Sequence, residues 1–392
     1  MTAFAADWIN LLIRWGHLIA GIGWIGTSFY FIALDLSLKR RDDMGEGVAG
    51  TAWEVHGGGF YQVEKYLLAP KALPGDLIWY KWEAYLTWLT GFALMIVQYY
   101  LNASAWLIDP GVMALAPWQA IAISIGALVA GWLVYDVLCR SPLKGRPEYL
   151  ATAVFVLILA AAWGYTQVFS GRSALVQVGA FLGTIMACNV FMVIIPNQKK
   201  IAAALMAGRD PDPALGAIGK MRSVHNTYLT LPVLVMMVSG HYPMLSGNHQ
   251  AWALVGLIVV GGATLRHFLV RHEVGDPLAK IAWTLPVIAA ALIAAIWMTA
   301  PVKRSGAGIE VSDDDIIALT RKHCVMCHAA RPSHEGFEEP PKGMTLETLD
   351  EVRRYASLVR QFTVDADVMP LGNETAITEP ERQKLGAWLD AQ

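Results

Sequence analysis

Charged residues are scarce in this sequence of 392 residues, at 16%, where an ordinary soluble domain carries about a quarter. This scarcity excludes a soluble cytosolic enzyme, a nucleic-acid-binding protein and a disordered chain. The charges are also unevenly distributed: 35 of them lie in the first 300 residues and 27 in the remaining 92. The composition therefore predicts a membrane domain followed by a small acidic soluble domain.

Long hydrophobic runs, in contrast, are abundant. A helix crosses the hydrocarbon core of a bilayer with about 20 mostly apolar residues, because every backbone polar group must be paired within the segment. The sequence therefore predicts an all-α bundle of eight transmembrane helices. The eight stretches that meet the requirement are residues 8–34, 84–101, 118–138, 150–169, 175–195, 227–245, 251–270 and 281–300.

The basic residues predict the topology of these spans. The connections after spans one, three, five and seven contain 16 Lys or Arg residues, and the other connections contain only Arg172. Loops rich in Lys and Arg stay in the cytoplasm. We therefore expect a multi-pass protein of a bacterial inner membrane with both termini in the periplasm.

The chain divides into three parts on this basis. Residues 1–300 form the transmembrane domain, residues 301–310 a polar linker, and residues 311–392 a soluble C-terminal domain. A linker of ten residues reaches at most about 33 Å when fully extended. The C-terminal domain is therefore expected to stay close to the outer face of the bundle.

Cysteine is rare, with four residues in the chain, and two of these lie in a single motif. Cys324 and Cys327 are followed directly by His328, which is the pattern of a c-type haem attachment site. A structural zinc site and a thioredoxin-like redox pair are the alternatives, but no second cysteine pair nearby completes the ligand set of a zinc site. Helix-start signals at Ser312 and Thr378 predict terminal helices on either side of the motif, as in class I cytochromes c.

Met369, on a segment stiffened by Pro370, is the predicted second axial ligand of this haem. Ligation by Met and His raises the haem potential and leaves no open position on the iron, which favours an electron carrier. Met326 and Met344 are the alternative ligands, and each methionine also competes as a packing residue.

Ionisable residues inside the predicted spans are candidates for function. Arg14 and His17 stand one turn apart on one face of the first span. Residues 53–66 place three consecutive glycines beside His56 among aromatic side chains, a composition that suits a backbone close to a planar ligand. A flexible surface loop is the alternative for this segment.

Four histidines near the ends of spans six and seven resemble the ligands of a two-haem cytochrome b. His225 and His267 fall near one end of these spans, and His241 and His249 near the other. However, His225 and His241 are about 160° out of phase on an ideal helix, which argues against four histidine ligands. One non-covalent haem b in the bundle stays open as an alternative.

The order of these parts resembles the integral-membrane cytochrome c urate oxidases, also called PuuD-type urate hydroxylases. The resemblance covers essentially the whole length of the chain. The segments that carry it are 14–17 (RWGH), 56–61 (HGGGFY), 81–85 (KWEAY) and 324–328 (CVMCH).

The resemblance implies that the protein oxidises urate to 5-hydroxyisourate in purine degradation. Electrons would pass to one covalent haem c and then to the respiratory chain, through a soluble cytochrome c or a terminal oxidase, without forming hydrogen peroxide. The expected partners are therefore urate, membrane lipid and this electron acceptor.

The chemistry of urate, a planar anion at neutral pH, selects the candidate site residues. Its site needs a cation, hydrogen-bond donors, aromatic faces and a base. The candidate catalytic residues are His17, His56, Glu64 and Glu83. The candidate substrate-binding residues are Arg14, Lys65, Arg266 and His267. The candidate haem residues are Cys324, Cys327, His328 and Met369, of which the last two would bind the iron.

Two other functions fit parts of the sequence. The chain can be an electron-transfer subunit of a quinol-oxidising or terminal-oxidase complex, without a substrate site of its own. A transporter with a redox sensor is the third alternative, which the absence of repeated halves disfavours.

Overall fold

The computed structural model describes residues 3–66, 70, 73–300, 310–334 and 337–392. The chain is mostly helical. Five helices are long and apolar enough to cross a membrane, at Phe4–Ser37, Pro117–Arg140, Pro147–Thr166, Gly171–Met206 and Ala251–Glu273.

Among the first 300 residues, those that the structure describes form a helical bundle with one β-hairpin. Its elements are α1 (Ala3–Ser37), β1 (Val48–His56), β2 (Gly59–Tyr66), α2 (Trp82–Met95), α3 (Ala103–Trp106), α4 (Pro117–Arg140), α5 (Pro147–Thr166), α6 (Gly171–Cys188), α7 (Ile195–Met206), α8 (Pro213–Val238), α9 (Pro243–Ser246), α10 (Ala251–Glu273), α11 (Leu278–Ile281) and α12 (Thr284–Met298). A π-helical turn extends α2 over Ile96–Tyr100, and another joins α6 to α7 over Asn189–Ile194.

The eight stretches predicted as spans all contain helix, but three of them fall short of a long apolar helix. Helices α2 and α12 have 14 and 15 residues. Helix α8 is long enough, but its first half carries Lys220 and Arg222, and Pro232 lies inside it. The count of eight spans therefore stays a prediction, and the structure supports five.

Helix α6 forms the centre of the bundle and is buried on most sides, packed against α4, α5 and α8. A helix that is apolar all round belongs inside a protein or a membrane. Helix α1, in contrast, packs mainly against α2 and exposes large apolar side chains along much of its length. The bundle therefore has a buried centre and a peripheral first helix.

The β-hairpin follows α1 and defines what we call the hairpin end of the bundle. Strands β1 and β2 pair antiparallel, with His56 opposite Gly59. The two residues between them, Gly57 and Gly58, have φ values of +57° and +83°. Two consecutive residues with positive φ form a type I′ turn, for which glycine is favoured. These strands depart from the all-helical expectation, and the turn explains two of the three glycines without a ligand.

Residues 310–392, the C-terminal segment, have a hydrophobic core of their own. The elements are α13 (Asp313–His323), α14 (Leu349–Arg354), α15 (Ala356–Val359) and α16 (Glu379–Asp390), with a π-helical turn at Arg360–Asp365. Helices α13 and α16 begin after Ser312 and Thr378, as predicted, and each begins with a capping box. They pack together, and the indole of Trp388 donates to Asp313 over 2.7 Å.

The C-terminal segment contacts the loops at the opposite end of the bundle from the hairpin, which we call the docking end. Gly372 lies against the backbone around Ile108, after α3. Gly247, after α9, lies against Ala366. The C-terminal segment thus has a defined position on the bundle.

Candidate functional site

Two arginines are buried in the half of the bundle nearer the hairpin. Arg222 in α8 is 1% exposed and Arg266 in α10 is 2% exposed. A buried guanidinium is costly unless charged and hydrogen-bonding partners compensate it. The surroundings of these two side chains differ in that respect.

Arg222 is compensated within the chain. One Nη donates to Asp136 Oδ1 over 2.5 Å and the other to Asn189 Oδ1 over 3.2 Å. The Asn189 amide in turn donates to the Tyr135 hydroxyl over 3.0 Å, and that hydroxyl lies 2.7 Å from His225 Nδ1. Only Nε of Arg222 lacks a hydrogen-bond partner. We call Asp136, Arg222, Asn189, Tyr135 and His225 the Arg222 network.

Arg266 has no such compensation among the described residues. Its Nε and one Nη are buried without a hydrogen-bond partner, and no described carboxylate lies within ion-pair distance of it. The guanidinium carbon stands 3.4 Å from the centre of the Phe29 ring of α1. A cation–π contact of this kind stabilises a guanidinium but does not neutralise its charge.

The Phe29 ring lies against this cation, and other aromatic groups lie against the next residue of α10, His267. His267 follows Arg266 in α10, and its Nδ1 lies 2.9 Å from the Tyr228 hydroxyl. The Tyr228 ring stacks on the imidazole at a centroid distance of 6.1 Å, and the Trp283 ring is tilted against it at 5.7 Å. We call Phe29, Tyr228, Arg266, His267 and Trp283 the Arg266 cluster.

The Arg266 cluster has the groups needed to bind a small planar anion. The guanidinium supplies the positive charge and unused N–H donors, and the rings supply flat apolar faces. The hydroxyl of Tyr228 can donate to Nδ1 of His267 or accept from it. His267 can therefore gain or lose a proton at Nε2 and keep this hydrogen bond.

Arg14 and His17 lie in another part of the bundle. Arg14 donates to Asn10 over 3.3 Å. His17 Nδ1 lies 3.0 Å from the Thr87 carbonyl, to which it must donate, and 3.1 Å from Thr90 Oγ1. Phe29 is 12 residues beyond His17, which corresponds to about 18 Å along a helix axis. These two candidates are thus separate from the Arg266 cluster.

The remaining candidates in the bundle lie on or near the hairpin. His56 is exposed at the end of β1. Lys65 pairs with Asp35, and both line, with Glu64, a cavity of about 520 Å³ between the hairpin, α1 and α7. Glu83 is half-buried in the first turn of α2. Of the eight candidates in the bundle, Arg266 and His267 are consecutive in α10 and have aromatic rings against them, Phe29 on Arg266 and Tyr228 and Trp283 on His267.

Phe29, Tyr228 and Trp283 were not among the sequence candidates. They lie on α1, on α8 and just before α12, so no spacing along the chain connects them with Arg266. The Arg222 network was also missed, since its members lie on α4, α8 and the π-helical turn after α6. A π-helical turn within a long helix is often found at a functional site, but the sequence has no simple signal for it.

In the C-terminal segment, the motif 324–328 forms one turn directly after α13. The Cys324 carbonyl accepts from the amides of Cys327 and His328, at 3.2 and 2.8 Å. Burial raises the pKa of the Cys324 thiol to about 12 and that of the Cys327 thiol to about 11. A redox-active cysteine pair requires a lowered thiol pKa, so this environment does not favour one.

The orientation of His328 fits a metal-binding imidazole. Its Nδ1 lies 2.8 Å from the Met344 carbonyl, which can only accept, so Nδ1 carries the proton and Nε2 has a free lone pair. A hydrogen bond of this type fixes the tautomer and orientation of ligating histidines. It also places the Met344 backbone on the side of the ring away from Nε2, which disfavours Met344 as the second ligand to the same iron.

The comparisons with known proteins concern the bundle. The model of the urate oxidase N-terminal family matches residues 3–300. The chain belongs to this family. The matched region contains the complete Arg222 network and the complete Arg266 cluster, and it ends before the C-terminal segment. No curated protein and no solved structure matches the chain significantly.

Membership of the urate oxidase N-terminal family supports a urate-related function and an oxidoreductase activity for this chain. Urate is a planar, aromatic anion at neutral pH. The Arg266 cluster, an uncompensated cation among aromatic rings, is the part of the matched region that best suits such a molecule.

Proposed function

We propose that this protein is a membrane-bound urate oxidoreductase that converts urate to 5-hydroxyisourate at the Arg266 cluster. Its electrons pass to a covalent haem c on the C-terminal segment and on to the respiratory chain. The observation that carries the proposal is the buried guanidinium of Arg266 inside a region matched by the urate oxidase family; it has two N–H groups without a hydrogen-bond partner, and Glu273 attracts it only from beyond ion-pair distance.

The charge balance of the reaction suits this site. The urate monoanion and one water give neutral 5-hydroxyisourate, one proton and two electrons. Arg266 therefore attracts the substrate by its charge and loses that attraction when the product forms. A site that binds an anion and releases a neutral molecule favours turnover over product retention.

The residues of the Arg266 cluster have separate roles in this proposal. Arg266 binds and orients the anion, and Phe29 and Trp283 provide the aromatic faces that exclude water from it. His267 removes the proton that the reaction releases, as a general base. The hydrogen bond between the Tyr228 hydroxyl and Nδ1 of His267 fixes the orientation of the imidazole. Nε2 of His267 therefore already points in one direction before the substrate binds.

The C-terminal segment has the residues that hold a c-type haem. Cys324 and Cys327 would form the two thioether bonds, and His328 Nε2 would bind the iron. Met369 remains the proposed second ligand; its amide donates to the Phe362 carbonyl over 2.9 Å, which holds its backbone in place. When bound, a haem with Met and His ligands accepts and passes on single electrons.

The membrane placement belongs to the same proposal. The long apolar helices support a membrane protein, and the basic connections favour a cytoplasmic hairpin end. The docking end and the C-terminal segment would then lie in the periplasm, where haem c is attached and where a soluble cytochrome c or a terminal oxidase accepts the electrons.

Anaerobic mixing of the oxidised holoprotein with urate tests the proposal. We expect the haem spectrum to change to that of the reduced form, with two haems reduced per urate consumed. An electron-transfer subunit without its own substrate site would respond to a quinol or a partner protein and not to urate. A haem that stays oxidised with urate but is reduced by dithionite contradicts the proposed function.

A further inference from the structure

The segment 366–373, which contains Met369 and which we call the Met369 loop, lies between α16 and the docking end of the bundle. From the side of α16 it is held by Arg382, which is 4% exposed. One Nη of Arg382 donates to the Met369 carbonyl over 2.8 Å and to the Thr363 carbonyl over 2.5 Å. Its Nε lies 3.4 Å from Asp367 Oδ1. Arg382 therefore fixes the loop at the backbone of Met369 and at a carboxylate two residues earlier.

On its other side, the Met369 loop contacts the bundle through two glycines. A Cβ atom on Gly372, which has a φ of +59°, would stand 2.8 Å from the Ile108 carbonyl oxygen. A Cβ atom on Gly247 of the bundle would stand 3.0 Å from Ala366 Cβ and 3.1 Å from the Asp367 amide nitrogen. One glycine is contributed by each side, and each permits an approach that a side chain would prevent.

Charges connect the two sides of this contact. One carboxylate oxygen of Asp367, Oδ1, forms an ion pair with Arg382. The other, Oδ2, lies 3.1 Å from Nε2 of His249 on the bundle. Asp109, in the loop after α3, is electrostatically attracted to Arg382 as well. The buried cation of the C-terminal segment is thus surrounded by groups from both sides of the contact.

We propose that the Met369 loop is the surface through which the C-terminal segment docks on the bundle to receive electrons, and that Arg382 is the positioning residue that couples docking to the placement of Met369. This inference rests on the proposed function. Urate would lose two electrons in the bundle, and a haem held by Cys324, Cys327 and His328 would take them one at a time, passing the first to the external electron acceptor before it takes the second. Docking through the Met369 loop keeps the same side of that segment against the bundle for both transfers.

A disulfide across the contact tests the docking in the full-length holoprotein. In Gly247→Cys combined with Ala366→Cys, the two Cβ atoms start 3.0 Å apart, so a disulfide, whose Cβ atoms lie about 3.8 Å apart, forms once the two backbones separate by less than about 1 Å. We expect this pair to form a cross-link on mild oxidation. The matched control combines Gly247→Cys with Ala391→Cys, an exposed position just after α16, and should stay reduced. Equal cross-linking of both pairs, or none in the first, overturns the docking.

The cross-linked protein then tests electron entry. After removal of the oxidant, urate should reduce its haem at no less than half the rate of the wild type. A cross-linked haem that dithionite reduces and urate does not overturns the electron-receiving role of this surface. If urate fails to reduce the wild-type haem while the disulfide still forms, the proposed function fails and the docking contact stands.

Arg382→Met tests the positioning role, with Arg382→Lys as the conservative variant. We expect Arg382→Met to weaken the methionine–iron absorption band and to lower the haem potential. It should also slow urate-driven reduction by about tenfold, because a misplacement of a functional group by about 1 Å can lower a rate by this factor or more. Arg382→Lys should restore part of all three. A variant that is less stable but keeps the wild-type band and potential shows that Arg382 is only structural, and overturns this role.

Discussion

The two buried arginines of the bundle, Arg222 and Arg266, are the same residue type at nearly the same exposure, yet their surroundings differ. The Arg222 network supplies a carboxylate and an amide within the chain. The Arg266 cluster supplies rings and an imidazole but no described carboxylate within ion-pair distance. Burial alone therefore does not distinguish a structural cation from a binding cation. The partners that the chain provides make that distinction.

Replacement of the uncompensated cation should give the largest effect on function. Arg266→Met removes the charge that binds urate, so we expect urate-driven haem reduction to fall by about 100-fold or more, as when a buried charged contact is lost. Its thermal stability should stay equal or rise, because an uncompensated buried charge is removed. Arg266→Lys, which keeps the charge but not the planar guanidinium, should retain a measurable part of the activity.

These measurements are stopped-flow reduction rates and melting temperatures in the same detergent. A loss of stability in Arg266→Met as large as its loss of activity would mean that Arg266, like Arg222, is a structural residue. The comparison between the two arginines would then be wrong.

Disruption of the compensated cation should give the opposite result. Asp136→Asn leaves the Arg222 guanidinium without its carboxylate, and breaking a buried ion pair costs about 3 kcal/mol or more. We expect the free energy of unfolding to fall by that amount while the affinity for urate is retained in the folded fraction. Weaker urate binding at unchanged stability would assign the Arg222 network to the substrate site instead.

Two matched tyrosine variants sharpen the comparison with smaller effects. Each tyrosine hydroxyl lies within hydrogen-bond distance of a histidine Nδ1, Tyr228 of His267 and Tyr135 of His225. Tyr228→Phe should slow urate-driven reduction by about tenfold with little change in stability, because it frees the orientation of a general base. Tyr135→Phe should lower stability by about 1 kcal/mol and leave the reduction rate unchanged. Equal effects of the two substitutions on the rate would contradict this assignment.

The sequence predicted the parts that depend on local patterns. Apolar runs located all eight helical stretches, and side-chain caps located the starts of α13 and α16. The chemistry of an anionic substrate selected Arg266 and His267 before any contact was known. The hairpin was missed although its signal was present, since Trp53 to His56 alternate in polarity before a Gly-Gly pair, which favours a hairpin turn.

The rest depends on contacts between distant parts of the chain. Asp136 and Arg222 are 86 positions apart, and no pattern on either helix indicates that they meet. Lys65 satisfied the chemical criteria for binding urate, but its pairing with Asp35 arises only when β2 folds back on α1. Packing between helices therefore determines which of the cations has a charged partner, and the sequence alone does not predict it.

Phe29, whose ring covers the guanidinium of Arg266, belongs to a helix at the edge of the bundle. Helix α1 has one main neighbour, α2, and touches α8 and α10 at few points. Because α1 touches α10 at few points, the boundary between these two helices, where the Phe29 ring meets Arg266, is less closely packed than the centre around α6. The route by which a substrate reaches the cation can thus run sideways between two helices rather than along the axis of the bundle.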